Sequence, residues 1–399
     1  MAELKKKKKI PFARVPLAGN EQKYVREVLE SGWLTTASKT ATFEKIFADR
    51  VQAPFACAVN SGTAALHLGL EALGVKPNDK VFVPSMTFTA SAEIIRYLQA
   101  HPVFLDTEYG TNLITPEILE NAIKKHPDVR YLIVVHFGGQ PATMLSSGQK
   151  EGILALCEKN QIKVLEDAAH AFPARQNNQM VGSLGEVTCF SFYANKPITT
   201  GEGGMLVTRN EKIYRRVKKM RLHGIDRDVW NRYTESKPSW EYDVVEAGYK
   251  YNMADVNAAI GLAQLEKAEL FRAERQRVAE YYYDRLTSLK AFIDLPVTHV
   301  PFQDHAWHLF PIVLKETAPV KRDELIRTMS AAGIGTSVHY KPLHRMTYYR
   351  NKYRLQDSFF PNAEKTWQGN ISLPIFPGMK KEEMEYVCKT LETTLTKAQ

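Results

Sequence analysis

One segment of the chain holds a lysine in a setting suited to covalent chemistry. Lys196 lies in Ser191-Phe192-Tyr193-Ala194-Asn195-Lys196-Pro197-Ile198-Thr199-Thr200-Gly201-Glu202-Gly203-Gly204, between two short apolar runs that read as strands. A lysine amine can condense with an aldehyde to a Schiff base and then move a proton between carbons. The glycines that follow let the backbone approach a bound molecule or take positive φ. Pro197 restricts Lys196 to extended backbone, which suits a loop. Alone, a loop lysine is an ordinary surface charge. Its meaning rests on its company.

Leu165-Glu166-Asp167-Ala168-Ala169-His170-Ala171 puts Asp167 at the carboxyl end of an expected parallel strand, where α/β sheets bind ligands. A buried carboxylate there can keep the nitrogen of a pyridoxal-phosphate ring protonated, the state in which the ring draws electrons. The same aspartate can equally cap a helix. His170 can stack on such a ring or hydrogen-bond its phenolic oxygen. In Ser61-Gly62-Thr63-Ala64-Ala65 a strand runs into a helix start, giving free N–H groups and a positive dipole end for a phosphate. An ordinary capped helix start has the same look. Ser191 can add a hydroxyl donor.

The elements that must position these residues alternate as strand and helix from about residue 55, the pattern of a sheet with crossover helices. Strands are expected at Phe55 to Val59, Val81 to Val83, Val103 to Leu105, Tyr131 to Val135 and Ile162 to Leu165. Val187 to Phe192 and Met205 to Thr208 read as a hairpin or two adjacent strands. Helices are expected with Leu66, Leu70 and Leu73 on one face and Gly74 as stop, around Ser91 to Leu98, and around Gly152 to Glu158. Asp255 is expected to cap a long helix running toward Leu286. A smaller α+β unit follows, with strands Trp307 to Leu314 and Gly335 to His339 and a helix from Arg322 to Ala332. A last helix aligns Met384, Val387, Leu391 and Leu395.

At 399 residues the chain exceeds what one core supports. It divides into a basic flexible tail (1–14), a large cofactor-binding domain (15–265) and a small C-terminal domain (266–399). The net charge of +9 fits anionic small molecules, nucleic acid or mere solubility, and chooses none of them. Lys5 to Lys9 form a solvated block with no aromatic or amphipathic segment after it, which argues against a nucleic-acid or membrane contact. Neither an export signal nor a membrane-spanning run is visible. Cys57, Cys157, Cys189 and Cys388 show no metal-site spacing and no disulfide framework, as in a cytoplasmic protein without a metal.

In this order and spacing the three chemical segments resemble the DegT/DnrJ/EryC1/StrS family of sugar aminotransferases. The likeness covers nearly the whole chain, with Ser31-Gly32-Trp33-Leu34-Thr35-Thr36, Pro84-Ser85-Met86-Thr87-Phe88, His223-Gly224, Gly248-Tyr249-Lys250-Tyr251-Asn252, His305-Ala306-Trp307-His308-Leu309-Phe310 and Gly333-Ile334-Gly335-Thr336-Ser337-Val338-His339-Tyr340. It implies the aspartate-aminotransferase-like α/β fold (fold type I) and pyridoxal 5'-phosphate as cofactor. Lys196 would form the Schiff base and shuttle protons. Asp167 would pair with the ring nitrogen, with His170 beside the ring and Phe88 stacked on it. Gly62, Thr63 and Ser191 would hold the phosphate. Asn252 would reach the phosphate in a neighbouring subunit, implying a homodimer with shared sites. His308 and His339 would lie near the sugar and nucleotide.

Through Gly248 to Asn252 followed by Asn257-Ala258-Ala259-Ile260, through His305 to Phe310, and through Leu373-Pro374-Ile375-Phe376-Pro377, the resemblance narrows to the branch that makes UDP-4-amino-4-deoxy-L-arabinose and its relatives. It implies amination at C4 of a nucleotide-linked keto sugar, with glutamate as donor in a ping-pong exchange, for surface polysaccharide, lipid or related glycans. Ala37-Ser38 replaces a frequent Gly-Pro pair, and Thr143 stands where aspartate is frequent; both positions bear on substrate choice. Three rivals remain: amination at C3, a deoxygenase (which replaces the lysine by histidine, against Lys196 here) and a catalytically silent regulator on the same scaffold.

Overall fold

A computed structural model of the chain describes residues 9–226 and 242–396. The strands expected between residues 55 and 208 form, most of them short apolar runs rich in β-branched residues. In chain order they are β1 (Phe55–Val59), β2 (Lys80–Pro84), β3 (His101–Leu105), β4 (Tyr131–Val135) and β5 (Lys163–Asp167). A two-residue ladder follows, β6 (Arg175–Gln176) with β7 (Gln179–Met180), and then β8 (Val187–Ser191) and β9 (Gly204–Thr208). All but β6 and β7 join one sheet in the order β1-β9-β8-β5-β4-β2-β3. β9 runs antiparallel to both neighbours, and the other pairs are parallel. Val187 to Phe192 and Met205 to Thr208 are thus adjacent antiparallel strands, and Lys196 lies in their connection.

Helices α1 (Glu21–Ser31), α2 (Ser38–Arg50), α3 (Gly62–Ala72), α4 (Ala90–Tyr97), α5 (Pro116–Lys125), α6 (Ile153–Lys159) and α7 (Glu211–Met220) surround this sheet. α3 is buried on every side from Ala64 to Leu70, not only along the leucine face the sequence suggested. Gly69 makes that possible: a Cβ there would meet the Leu165 side chain at 2.7 Å, so the helix can lie flat on the sheet.

The long helix expected after Asp255 is two: α8 (Asp255–Leu265) and α9 (Ala268–Leu286). Asp255 does not cap its own helix. Its carboxylate accepts hydrogen bonds from the Ala37 and Thr40 amides at 2.8 and 3.0 Å, from the Lys39 amide at 3.0 Å and from the Thr40 hydroxyl at 2.6 Å. It therefore caps α2, which has no cap of its own. Asp255→Ala would strand these buried donors, and we expect a loss of about 2–3 kcal/mol in urea unfolding.

The smaller unit has an antiparallel sheet β10 (Ile293–Asp294), β11 (Phe310–Leu314) and β12 (Asn370–Leu373). α10 (Arg322–Ala331), α11 (Thr347–Tyr353), α12 (Pro361–Gly369) and α13 (Lys381–Thr396) accompany it. Met384, Val387, Leu391 and Leu395 face its core as expected. Two strand expectations change. The first strand begins at Phe310 rather than Trp307, whose φ is +48°, and Gly335 to His339 makes only a single bridge, Ser337 to Ser372. The tail expected to be flexible through residue 14 is fixed from Ile10. That side chain is fully buried, and its backbone bonds to Gly333 and Gly335. Lys5 to Lys8 lie outside the described residues. All four cysteines are free and buried, and among the described residues no helix is long and apolar enough to cross a membrane.

Candidate active site

The parallel strands end on one side of the large sheet, and a cavity of about 480 Å³ opens there. Ser61 to Thr63 follow β1, Phe88 follows β2, Asp167 ends β5 and Ser191 ends β8; all line it, together with His170 and Lys196. His339 and Tyr340 reach in from the smaller unit.

Lys196 is carried on a loop closed around the buried Phe192. The Phe192 amide donates to Gly203 at 2.9 Å, and its carbonyl accepts from the Thr200 amide at 3.0 Å and the Thr199 hydroxyl at 2.9 Å. The Lys196 amide closes a turn on Tyr193 at 2.9 Å, and Asn257 of α8 holds the Thr200 carbonyl at 2.9 Å. The side chain keeps some accessible surface, yet burial brings its amine down to about 8, against the opposing pull of Asp167.

Asp167 is 5% exposed. Its Oδ2 accepts the Ser91 hydroxyl at 2.7 Å and its Oδ1 the Ala169 amide at 3.1 Å. No helix follows β5 directly, so the helix-cap alternative falls away. Burial raises the carboxyl pKa, while these two hydrogen bonds and the charge of Lys196 pull it back. A nearby cation on a bound ring would offset that burial. His170 has both ring nitrogens engaged: the Gly138 amide points at Nδ1 at 3.2 Å and Tyr340 Oη lies 3.1 Å from Nε2.

At the other end of the cavity Ser61 caps α3, its hydroxyl accepting from the Ala64 amide at 3.0 Å. The Gly62 and Thr63 amides, in the same first turn, have no acceptor among the described residues. A Cβ on Gly62 would sit 2.8 Å from Ser191 Cβ, so glycine lets the end of β8 close on the helix start. Two free amides, two hydroxyls (Thr63 and Ser191) and a helix N-terminus converge there, a donor set suited to phosphate.

Phe88 stands at the cavity wall and is 58% exposed. His339 lines the cavity and bonds Ser372 at 2.8 Å. His308 does not line it; its ring packs 4.5 Å from that of His170. Asn252 also lies off this chain's cavity lining, its amide donating to Thr36 at 2.7 Å. Two contributors escaped the sequence reading. Ser91 sits in the first turn of α4 with no local signal of its partner. Tyr340 was legible only as the neighbour of His339.

A model of the DegT/DnrJ/EryC1/StrS aminotransferase family matches residues 16–392. The chain belongs to that family. It is 40% identical over 389 residues to the spore coat polysaccharide biosynthesis protein SpsC of Bacillus subtilis, covering 96% of each chain. It is 41% identical over 372 residues to the uncharacterized protein MJ1066 of Methanocaldococcus jannaschii, covering 92% of this chain and 93% of that one. Among solved structures it is similar to the PLP-form of a putative sugar aminotransferase, Spr1654 of Streptococcus pneumoniae. That likeness has a TM-score of 0.86 at 30% identity and covers 98% of this chain and 100% of the other.

Membership makes the chain an enzyme of fold type I with pyridoxal phosphate as its cofactor. The residues present fit the group. The α3 start would supply donors for its phosphate, Asp167 a carboxylate for its nitrogen, Phe88 a ring face and Lys196 an amine for its aldehyde. An amine near 8 also sets the pH dependence of loading. Only the neutral amine attacks an aldehyde, so the loading rate on cofactor-free protein should rise with pH and level off above about 8. A profile flat across the neutral range, followed through the visible band, would contradict the lowered amine.

Proposed function

We propose that this enzyme aminates C4 of a keto sugar carried by a nucleotide, taking nitrogen from glutamate, and works in the cytoplasm as a homodimer with shared sites. The observation that carries the reading is the convergence of Lys196, Asp167 and the α3 phosphate cradle on one cavity. When bound, pyridoxal phosphate supplies an aldehyde carbon that accepts an amine and a protonated ring that accommodates negative charge. The chain's own groups do the rest. Lys196, freed by the incoming amine, takes the proton from the donor carbon and later returns one to the sugar carbon. Its lowered pKa keeps a useful share of neutral amine at neutral pH. Asp167 keeps a proton on the ring nitrogen. Ser91, donating to Asp167, fixes the carboxylate's orientation.

The lining favours a neutral sugar over the anionic part of a nucleotide. Its charged residues are Lys196, Asp167 and Glu202, with no cationic cluster for a diphosphate. The nucleotide therefore extends past the cavity mouth. Asn252 supports shared sites: Thr36 holds its side chain, and it is not among the residues lining its own chain's cavity.

Borohydride reduction of the holoenzyme followed by peptide mapping tests the core of this reading. The tag should sit on Lys196, and a tag elsewhere, or none, overturns it. Glutamate should bleach the visible band. Product mass spectrometry over a panel of nucleotide-linked 4-keto and 3-keto sugars then decides the position. Amination of 3-keto sugars alone would refute the C4 assignment.

A further inference from the structure

His170 and Tyr340 form a short relay in the cavity wall whose hydrogens can be placed by elimination. The Gly138 amide can only donate, and it points at His170 Nδ1 from 3.2 Å in a buried setting. Nδ1 must then present a lone pair, so the ring is neutral with its hydrogen on Nε2. A protonated ring would set N–H against N–H. Burial acts in the same direction, holding the His170 pKa well below the ordinary histidine value. The Gly138 turn is itself anchored, since its carbonyl accepts from the Leu309 amide at 3.1 Å and that of Gly139 accepts from Ala306 at 2.9 Å.

With its hydrogen on Nε2, His170 donates to Tyr340 Oη at 3.1 Å. The phenol is the acceptor in that bond, so its own hydrogen must go elsewhere. Among the described residues no acceptor meets it, and Tyr340 lines the cavity. Burial also raises the Tyr340 pKa, so the hydroxyl stays protonated. Phe88, whose ring lies 5.9 Å away, flanks Tyr340.

We propose that Tyr340, held as a one-way donor by the fixed tautomer of His170, hydrogen-bonds an oxygen atom of the molecule bound in the cavity. His170 is then a positioning residue rather than an acid or base, since neither ring nitrogen is free for proton exchange with a ligand. The oxygen has two sources with the same chemistry, the phenolic oxygen of the cofactor or a carbonyl or hydroxyl oxygen of the sugar. The inference rests on the proposed reading of this cavity.

Tyr340→Phe separates the two sources and leaves Lys196, Asp167 and His339 in place. If the acceptor is the cofactor's phenolic oxygen, losing the donor leaves more negative charge beside the proton of the Lys196 linkage. The pH midpoint of the visible band, read without substrate, should then rise by about one unit or more. If the acceptor is a sugar oxygen, the midpoint stays. The half-reaction with the keto sugar that the wild type aminates then slows about tenfold or more, while the glutamate half-reaction does not change. A variant that matches the wild type in all three readouts overturns the proposal.

The tautomer has its own test, which needs no cofactor. In protein labelled with 15N-histidine, with His170→Gln for assignment, His170 should show the Nε2–H neutral form across the neutral range. An Nδ1–H form or a cation would overturn the relay. Failure of borohydride to tag Lys196 in wild type would instead sink the functional reading, leaving the tautomer result standing.

Discussion

Lys196→Ala is expected to lower multiple-turnover transamination by about 10⁴-fold or more, because in the proposed reading one amine serves both as the covalent tether and as the proton carrier. The two roles fail together. Without the tether, cofactor can still enter and sit in the α3 cradle, but an incoming amine must attack a free aldehyde. Without the proton carrier, neither Asp167 nor His170 replaces the amine. Asp167 is bound to Ser91 and Ala169, and both His170 nitrogens are engaged. Folding should not suffer. The Lys196 amine has no hydrogen-bond partner among the described residues, and its folded pKa near 8 lies below the ordinary 10.5. A depressed lysine pKa means that the unfolded chain binds more proton, so at neutral pH the charge opposes folding, an effect that fades as pH rises past the unfolded value. The variant should therefore melt no lower than wild type at neutral pH. Substantial turnover in Lys196→Ala, measured by coupled assay of 2-oxoglutarate release, would remove the assigned role.

The sequence made the site's skeleton readable because its signals are local. A strand end followed by small residues marked Asp167, and the strand-to-helix turn marked Ser61 to Thr63. What stayed hidden was long-range. The carboxylate of Asp255 obeys the rule that aspartate caps helix starts, but the helix it caps lies 218 positions earlier in sequence. The Ser91 hydroxyl meets Asp167 across 76 positions, and Tyr340 meets His170 across 170. No periodicity encodes such pairs. Gly335 to His339 misled for a related reason. Its alternating residues suit a strand, yet the segment makes one bridge and bends so that His339 stacks on Phe12 and Tyr340 enters the cavity. Local propensity yielded there to the needs of the site.

Asp167→Asn should cost on the order of 10³-fold in the glutamate half-reaction, about 4 kcal/mol of barrier, while the cofactor stays bound. The asparagine fits the same space and can still meet the Ser91 hydroxyl and the Ala169 amide, so local structure is preserved. What disappears is the negative charge. Asp167 sits where burial raises its pKa, which disfavours its ionised form. A positive ring nitrogen beside it would offset that cost, and Asp167 would in turn hold it protonated, each charge stabilising the other in a place where water cannot. Asparagine offers the nitrogen no such stabilisation. With asparagine there, nothing would hold the proton on a bound ring, which would then accommodate less of the negative charge left when Lys196 removes the donor's proton. The loss should fall on the proton-transfer step rather than on binding. Bleaching of the visible band by saturating glutamate should slow by that factor, with cofactor content after dialysis close to wild type. Bleaching at the wild-type rate would show that the ring nitrogen needs no charged partner here. Loss of cofactor with normal bleaching of the remainder would show that Asp167 serves binding alone.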